Sequence, residues 1–288
     1  MIASTASRPQ CTVRLTGGLG NQLFQYAAGR SLSLRHNTRL VLDVSFFNAR
    51  RHRQFELDQF PIAADLLPLR PLNRFTTSCR RLWSCWGKSW HVYQEPHFHY
   101  DQDFIGLPAT VTLKGYFQSE RYFNDFAATI RSELTPPQPA DPDWQRWGHR
   151  IAAERATALH VRRGDYVASK KASQIYHACG IDYYRRAMER CPCDGPVYVF
   201  SDDLDWAREN LPPLRPLVFP DGPANRSGLT DLWLMTRAHH HIIANSTFSW
   251  WGAYLANANK GITIAPRRWF QDESIDDRDL IPTSWQRV

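Results

Sequence analysis

Hydrophobic and polar residues alternate in CTVRL (11–15), the period of a half-buried strand, and the period changes once the turn TGGLG is passed. Beyond it Leu23, Phe24, Ala27, Ala28 and Leu32 recur at helical spacing, which predicts a helix through NQLFQYAAGRSLSLRH starting at Asn21. RLVLD (39–43) is the next strand. Strand, glycine turn, helix and strand in that order are how parallel α/β sheets are built. Residues 66–104, rich in Pro, Trp, His and Arg, carry no period that predicts an element. TVTLKGYF (110–117) reads as a strand again and RYFNDFAATIRSEL (121–134) as a helix. Prolines at 136, 137, 139 and 142 in TPPQPADPD (135–143) then have the composition of a linker. The expected division is 1–145 and 146–288.

The second half alternates more regularly. TALHV leads to IDYYRRAMER, PVYVF to LDWAREN, LVF to LTDLWLMTRA, HIIAN to TFSWWGAYLA, and GITIAP closes the series. Strands joined by helices in this way predict a doubly wound sheet, in which ligands bind beyond the carboxyl ends of the strands. The residues at those ends are mostly polar: Arg162, Arg163 and Asp165; Ser201, Asp202 and Asp203; Pro220, Asp221 and Gly222; and the run Asn245, Ser246, Thr247, Phe248 and Ser249.

These side chains suit an anion. Arginine grips phosphate oxygens with a planar fork that keeps its charge. Arg162 and Arg163, adjacent at a strand end, point to opposite sides, so one faces a ligand and the other braces the loop. Asp165 either orients an arginine or acts as a base. Asn245, Ser246 and Thr247 are N-cap residue types placed before an apolar run, and a helix start offers free N–H groups and the positive end of the dipole. The plainer reading of that run is an ordinary cap with Trp250 and Trp251 in the core. From Gly18 the N-terminal turn reads G-L-G-N-Q-L, with leucine where a dinucleotide fingerprint has its third glycine; Gly18 and Gly20 then serve close approach of the backbone to a substrate.

Composition narrows the field without deciding it. With 43% hydrophobic and 22% charged residues the 288-residue chain is globular, and a net charge of +7 suits an anionic small molecule, a nucleic acid or an acidic membrane surface. Eleven tryptophans fit stacking on sugars as well as core packing. No zinc spacing exists among the six cysteines, and the three adjacent histidines 239–241 fan out too widely to converge on one ion. The D-x-D at 203–205 falls where a helix should begin, so Asp203 reads equally as an N-cap. No metal is expected. The start MIASTASRPQ lacks the apolar core of a signal peptide, so the expected location is the cytoplasm, with at most peripheral contact with the inner membrane.

GGLGNQLFQYAAG, GYFQSERYF, HVRRGDY, SDD and NSTFSWWGAYLA occur in one order over most of the chain. Together they resemble the bacterial α-1,2-fucosyltransferases of glycosyltransferase family 11. The resemblance implies a GT-B-like fold, two Rossmann-type α/β domains facing a cleft, with GDP-fucose on the C-terminal domain and the acceptor on the N-terminal one. It implies inverting transfer of L-fucose from GDP-β-L-fucose to O2 of a terminal β-galactose on an oligosaccharide or lipid-linked glycan, with no metal and no cofactor beyond the donor. Arg162 would meet the β-phosphate, with His160 and the helix start aiding the leaving group. Asp231 would contact the nucleotide. Gly18, Gly20, Asn21 and Gln22 would face substrate, Asn21 positioning the acceptor hydroxyl; Asp165 or His160 would serve as base, or a dissociative transfer would need no dedicated base. The rivals are a metal-dependent sugar-nucleotide transferase, separated by activity in excess EDTA, and a non-catalytic carbohydrate-binding protein, separated by protection with GDP. No RRM, KH, helix-turn-helix or zinc-finger pattern supports nucleic acid as a partner.

Overall fold

In the computed structural model, which describes residues 9–48, 53–67, 91–176, 178–192, 195–223, 226–256 and 261–288, the alternation of strands and helices resolves into two parallel sheets. The first comprises β1 (Gln10–Arg14), β2 (Arg39–Asp43), β3 (Asp65–Leu66), β4 (His91–Gln94) and β5 (Val111–Lys114), in the order β3-β2-β1-β5-β4. The second comprises β6 (Thr157–Val161), β7 (Val197–Ser201), β8 (Leu217–Val218), β9 (His240–Ile242), β10 (Thr263–Ala265) and β11 (Gln286–Arg287), in the order β11-β10-β9-β6-β7-β8. Two such domains facing a cleft form the GT-B-like α/β arrangement.

Each sheet winds outward from its first strand and then returns to that strand's other side. The reversal falls between β1 and β5 in one sheet and between β6 and β9 in the other. At such a reversal the connections leave in opposite directions and open a crevice beyond the strand ends.

Helix α1 (Leu19–His36) connects β1 to β2 and is buried almost all round, because the first sheet lies on one side and a helix of the second half on the other. It starts two residues before Asn21, with Gly18 in the N-cap position. Two of its polar residues lie in the interior with their amides satisfied, as buried polar groups require. Gln25 accepts from the Thr16 amide at 2.9 Å and donates to the Gly115 carbonyl at 2.9 Å, stitching the segments that follow β1 and β5. Gln22 donates to the Gln54 carbonyl at 2.8 Å and accepts from the Glu56 amide at 3.0 Å.

The short α2 (Ser45–Asn48) follows β2. The helix expected over 121–134 is broken into two single turns, 120–122 and 124–126, before α3 (Ala127–Glu133). Tyr122 and Phe123 enter the core there, and Ser119 caps the first turn through the Arg121 amide. The proline segment ends in a helix the periodicity reading lacks, α4 (Pro142–Ala153). Pro142 occupies the first turn, where its missing N–H is no loss, and Asp141 caps the helix through the Asp143 amide at 2.8 Å. Trp144, Gly148 and Ile151, one stripe of α4, are buried in the second half of the molecule.

After β6 come α5 (Gly164–Ala168), α6 (Lys170–Ile175) and α7 (Ile181–Arg190). The remaining helices are α8 (Leu204–Asn210), α9 (Gly228–Thr236) and α10 (Thr247–Leu255). Helix α10 lies against α1: Phe24 stands 4.5 Å from Trp250 and 5.0 Å from Trp251 between ring centroids. Both tryptophans are fully buried, each worth roughly 1.5–3 kcal/mol of apolar burial, so the halves share one hydrophobic cluster. Their backbones meet as well, since a Cβ on Gly20 would stand 2.5 Å from the Thr247 carbonyl carbon.

Candidate active site

Both sheet reversals open into one cleft of about 570 Å³. The first half lines it with Gly18, Gly20 and Asn21 at the start of α1, and with Arg53, Glu56 and Tyr116. The second half contributes His160, Arg162 and Asp165 from the end of β6, and Ser201 and Asp202 from the end of β7. Asp231 on α9 and Ser246, Thr247 and Phe248 at the start of α10 complete that side.

Arg162 holds the centre of the second half's lip. Its guanidinium pairs with Asp165 at 2.6 Å and Asp202 at 3.0 Å, so two carboxylates fix the fork in the cleft wall. An arginine carries five N–H donors, and these pairs leave others for a ligand. Asp165 has its second oxygen on Arg53, 3.3 Å away across the cleft, so both of its oxygens are committed to arginines. Asp202 also accepts from the Arg163 amide at 2.9 Å.

The start of α10 adds a second anion-attracting feature. Ser246 sits at the N-cap with extended backbone, φ −131° and ψ 125°, and its side chain makes no cap bond. The Ser246 side chain therefore leaves free the first-turn N–H groups, which lack intrahelical partners in any helix and carry the positive end of the dipole.

His160 does not supply positive charge. It is 5% exposed, and burial, reinforced by the Arg162 guanidinium, pushes its pKa down to about 3. The imidazole is neutral at ordinary pH and too weak a base for proton abstraction; Nδ1 is buried without a hydrogen-bond partner among the described residues. Asp231 is held by Arg226 at 2.5 Å, and burial raises its pKa while the arginine opposes that rise.

On the first half's lip Gly17 adopts φ +82°, a left-handed turn natural to glycine, which brings the chain round to Asn21. Gln118 donates to Asn21 Oδ1 at 3.0 Å, leaving the Asn21 amide N–H groups as what that side chain offers a ligand.

Five residues expected at the site lie outside the cleft lining. Gln22 pins residues 54–56. Arg163 turns away, pairing with Asp203 at 3.1 Å and stacking over Trp206 at 4.1 Å. Asp203 caps α8 through the Trp206 amide. Asn245 is fully buried and donates to the Trp269 carbonyl at 3.0 Å. Ser249 bonds back to the Ala244 and Ser246 carbonyls. They shape the loops around the cleft.

Among the lining residues the periodicity missed are Arg53, Glu56, Tyr116, Tyr166, Tyr176 and Trp269. Tyr166 and Tyr176 stack at 4.8 Å, with planes 5° apart, over the edge of the cleft. The signals available were the basic cluster RRHR ending at Arg53 and the motif GYFQSERYF containing Tyr116; Glu56 had none.

The adjacent histidines are also accounted for individually. His241 Nε2 lies 2.9 Å from the Met235 carbonyl, His240 Nδ1 accepts from the Ile262 amide at 3.0 Å, and His239 contacts Arg155. Among the described residues no helix is long and apolar enough to cross a membrane.

The sequence profile of the family described as glycosyl transferase family 11 matches residues 2–288. An α-1,2-colitosyltransferase of Escherichia coli is 34% identical over 96% of this chain and 97% of its own length. The O-antigen biosynthesis glycosyltransferase WbnK of Escherichia coli is 32% identical over 89% of this chain and 93% of its own. Galactoside α-(1,2)-fucosyltransferase 2 of Oryctolagus cuniculus is 28% identical over 86% of this chain and 67% of its own.

Proposed function

The chain belongs to glycosyl transferase family 11, and on that premise we propose that it moves L-fucose from GDP-β-L-fucose to O2 of a terminal β-galactose, inverting the anomeric carbon without a metal ion. The observation that carries this reading is the placement of Arg162 and the uncapped start of α10 at the two strand ends flanking one sheet reversal. A nucleoside diphosphate leaves slowly unless its developing charge is met. A fixed guanidinium facing helix N–H groups meets that charge without reorganising during the reaction. The C-terminal half would hold GDP-fucose and the N-terminal half, with its glycines, Asn21 and Tyr116, the acceptor. Attack from the N-terminal side opposes departure toward the C-terminal side, the geometry an inverting transfer requires. The α-1,2 linkage is supported by two relatives named for it, one acting on galactosides.

A second reading is favoured by the 34% identity to an α-1,2-colitosyltransferase: the same linkage with colitose as the sugar transferred. Incubation of the protein with lactose and either GDP-fucose or GDP-colitose, in excess EDTA, separates the two. The proposal expects an α-1,2-fucosylated product by linkage analysis and an unchanged rate in EDTA. Product from GDP-colitose alone would support the second reading, and a rate abolished by EDTA would overturn metal independence.

A further inference from the structure

Four acids line the cleft, and three of them are held by arginines. Asp165 is gripped by Arg53 and Arg162, Asp202 by Arg162, and Asp231 by Arg226. Glu56 differs in place and in partners. It lies on the opposite lip, and among the described residues it makes no ion pair within 4.0 Å. Its backbone is fixed all the same. The Glu56 amide donates to the buried Gln22, and the next residue, Leu57, is fully buried at the start of a single 3-10 turn.

We propose that Glu56 is the general base that accepts the proton of the attacking acceptor hydroxyl, a role that rests on the transfer reading above. As the hydroxyl oxygen bonds to the anomeric carbon of the donor, the bond from that carbon to the β-phosphate oxygen breaks and its electron pair leaves with GDP. The O–H bond of the acceptor breaks, and its proton passes to a carboxylate oxygen of Glu56. Leaving-group charge is met on the second half's lip and the proton is taken on the first half's lip, so the two tasks fall on opposite faces of the sugar.

The surroundings of Glu56 suit this work. Burial raises its pKa above the ordinary glutamate value and Asp58 adds to the rise, while Arg53 and the Leu19 amide oppose it. Across the cleft stand Arg162, Asp165 and the neutral His160, with Tyr116, Tyr166 and Tyr176 at its edge. A carboxylate less acidic than usual, and not neutralised by a bound arginine, is better matched to abstraction near neutral pH.

The test is Glu56→Gln, assayed for transfer from GDP-fucose to lactose across pH, with GDP-induced thermal stabilisation as the measure of an intact donor site. The expected result is a kcat at least about 100-fold lower with acceptor KM and GDP stabilisation retained, and loss of the acid limb of kcat/KM. A kcat within tenfold of the wild type, or a raised acceptor KM with kcat intact, overturns the assignment. Glu56→Asp keeps the carboxylate on a shorter arm. It is expected to retain measurable transfer with a displaced acid limb, and an acid limb identical to the wild type's overturns the base. Wild-type protein that transfers from neither GDP-fucose nor GDP-colitose overturns the transfer reading together with the base. A fully active Glu56→Gln overturns the base alone.

Discussion

The two lips of the cleft are built from different materials. On the second half, charged side chains are locked to one another: Arg162 between Asp165 and Asp202, Asp231 on Arg226, and the start of α10 beside them. On the first half backbone and neutral groups, with Gly17 in a left-handed turn, Gly18, Asn21 and the ring of Tyr116, surround two charged side chains, Arg53 and Glu56. The first arrangement is rigid and electrostatic, as suits a charge that appears during reaction. The second permits close approach, as suits a neutral hydroxylated ligand. On the proposed function a single cleft divides into a lip that would stabilise a leaving anion and a lip that would admit a nucleophile.

Substitutions on each lip should fail in different ways. The largest effect is expected from Arg162→Ala, which removes the central donor of the charged lip. Turnover should fall by about 10²–10³ with circular dichroism unchanged, and near-normal rates would deny the charged lip its role. Next is Gly20→Ala, where a Cβ would stand 2.5 Å from the Thr247 carbonyl carbon and 2.6 Å from the Phe248 nitrogen. Because backbone must move to admit it, a loss of about 1–3 kcal/mol is expected in urea unfolding. An unchanged urea midpoint would mean the halves do not meet as closely as described. Asp165→Asn should cost less than about tenfold in kcat if Asp165, paired with Arg162 and Arg53, orients them while Glu56 takes the proton; a hundredfold loss would return the base to the charged lip.

The smallest effect concerns pH and stability. His160 and His241 are buried with pKa values pushed down to about 3 and about 4, below the ordinary 6.5. Below about pH 6.5 the unfolded chain takes up protons that the folded chain refuses, so stability falls with pH until the folded values are reached. The urea midpoint should be lower at pH 5 than at pH 7; a flat midpoint would contradict the burial of these rings.

The charged lip was largely legible in the sequence because it sits at strand ends, where hydrophobic runs stop and polar residues begin. Arg162, Asp165, Ser201, Asp202, Ser246 and Thr247 all follow from locating β6, β7 and β9. Direction was harder to read than position. Arg163, Asn245 and Ser249 lie in the same polar stretches, but their side chains satisfy local helix and loop bonds. The other lip was less legible. Glu56 and Arg53 stand between elements with no period, and reach the cleft only because Gln22 of α1 clasps residues 54–56. Helix α4 was hidden by its prolines, one of which starts the helix. Strands β3 and β11 hold two residues each, too few to alternate. Residues 68–90 of the irregular stretch 66–104 lie outside the described residues.

A crystal structure of the protein with GDP tests the central claim most directly. The account predicts the diphosphate within hydrogen-bond distance of the Arg162 guanidinium and of the backbone amides at the start of α10, residues 247–249. Phosphates bound against the Gly17–Asn21 turn, out of reach of Arg162, would contradict it.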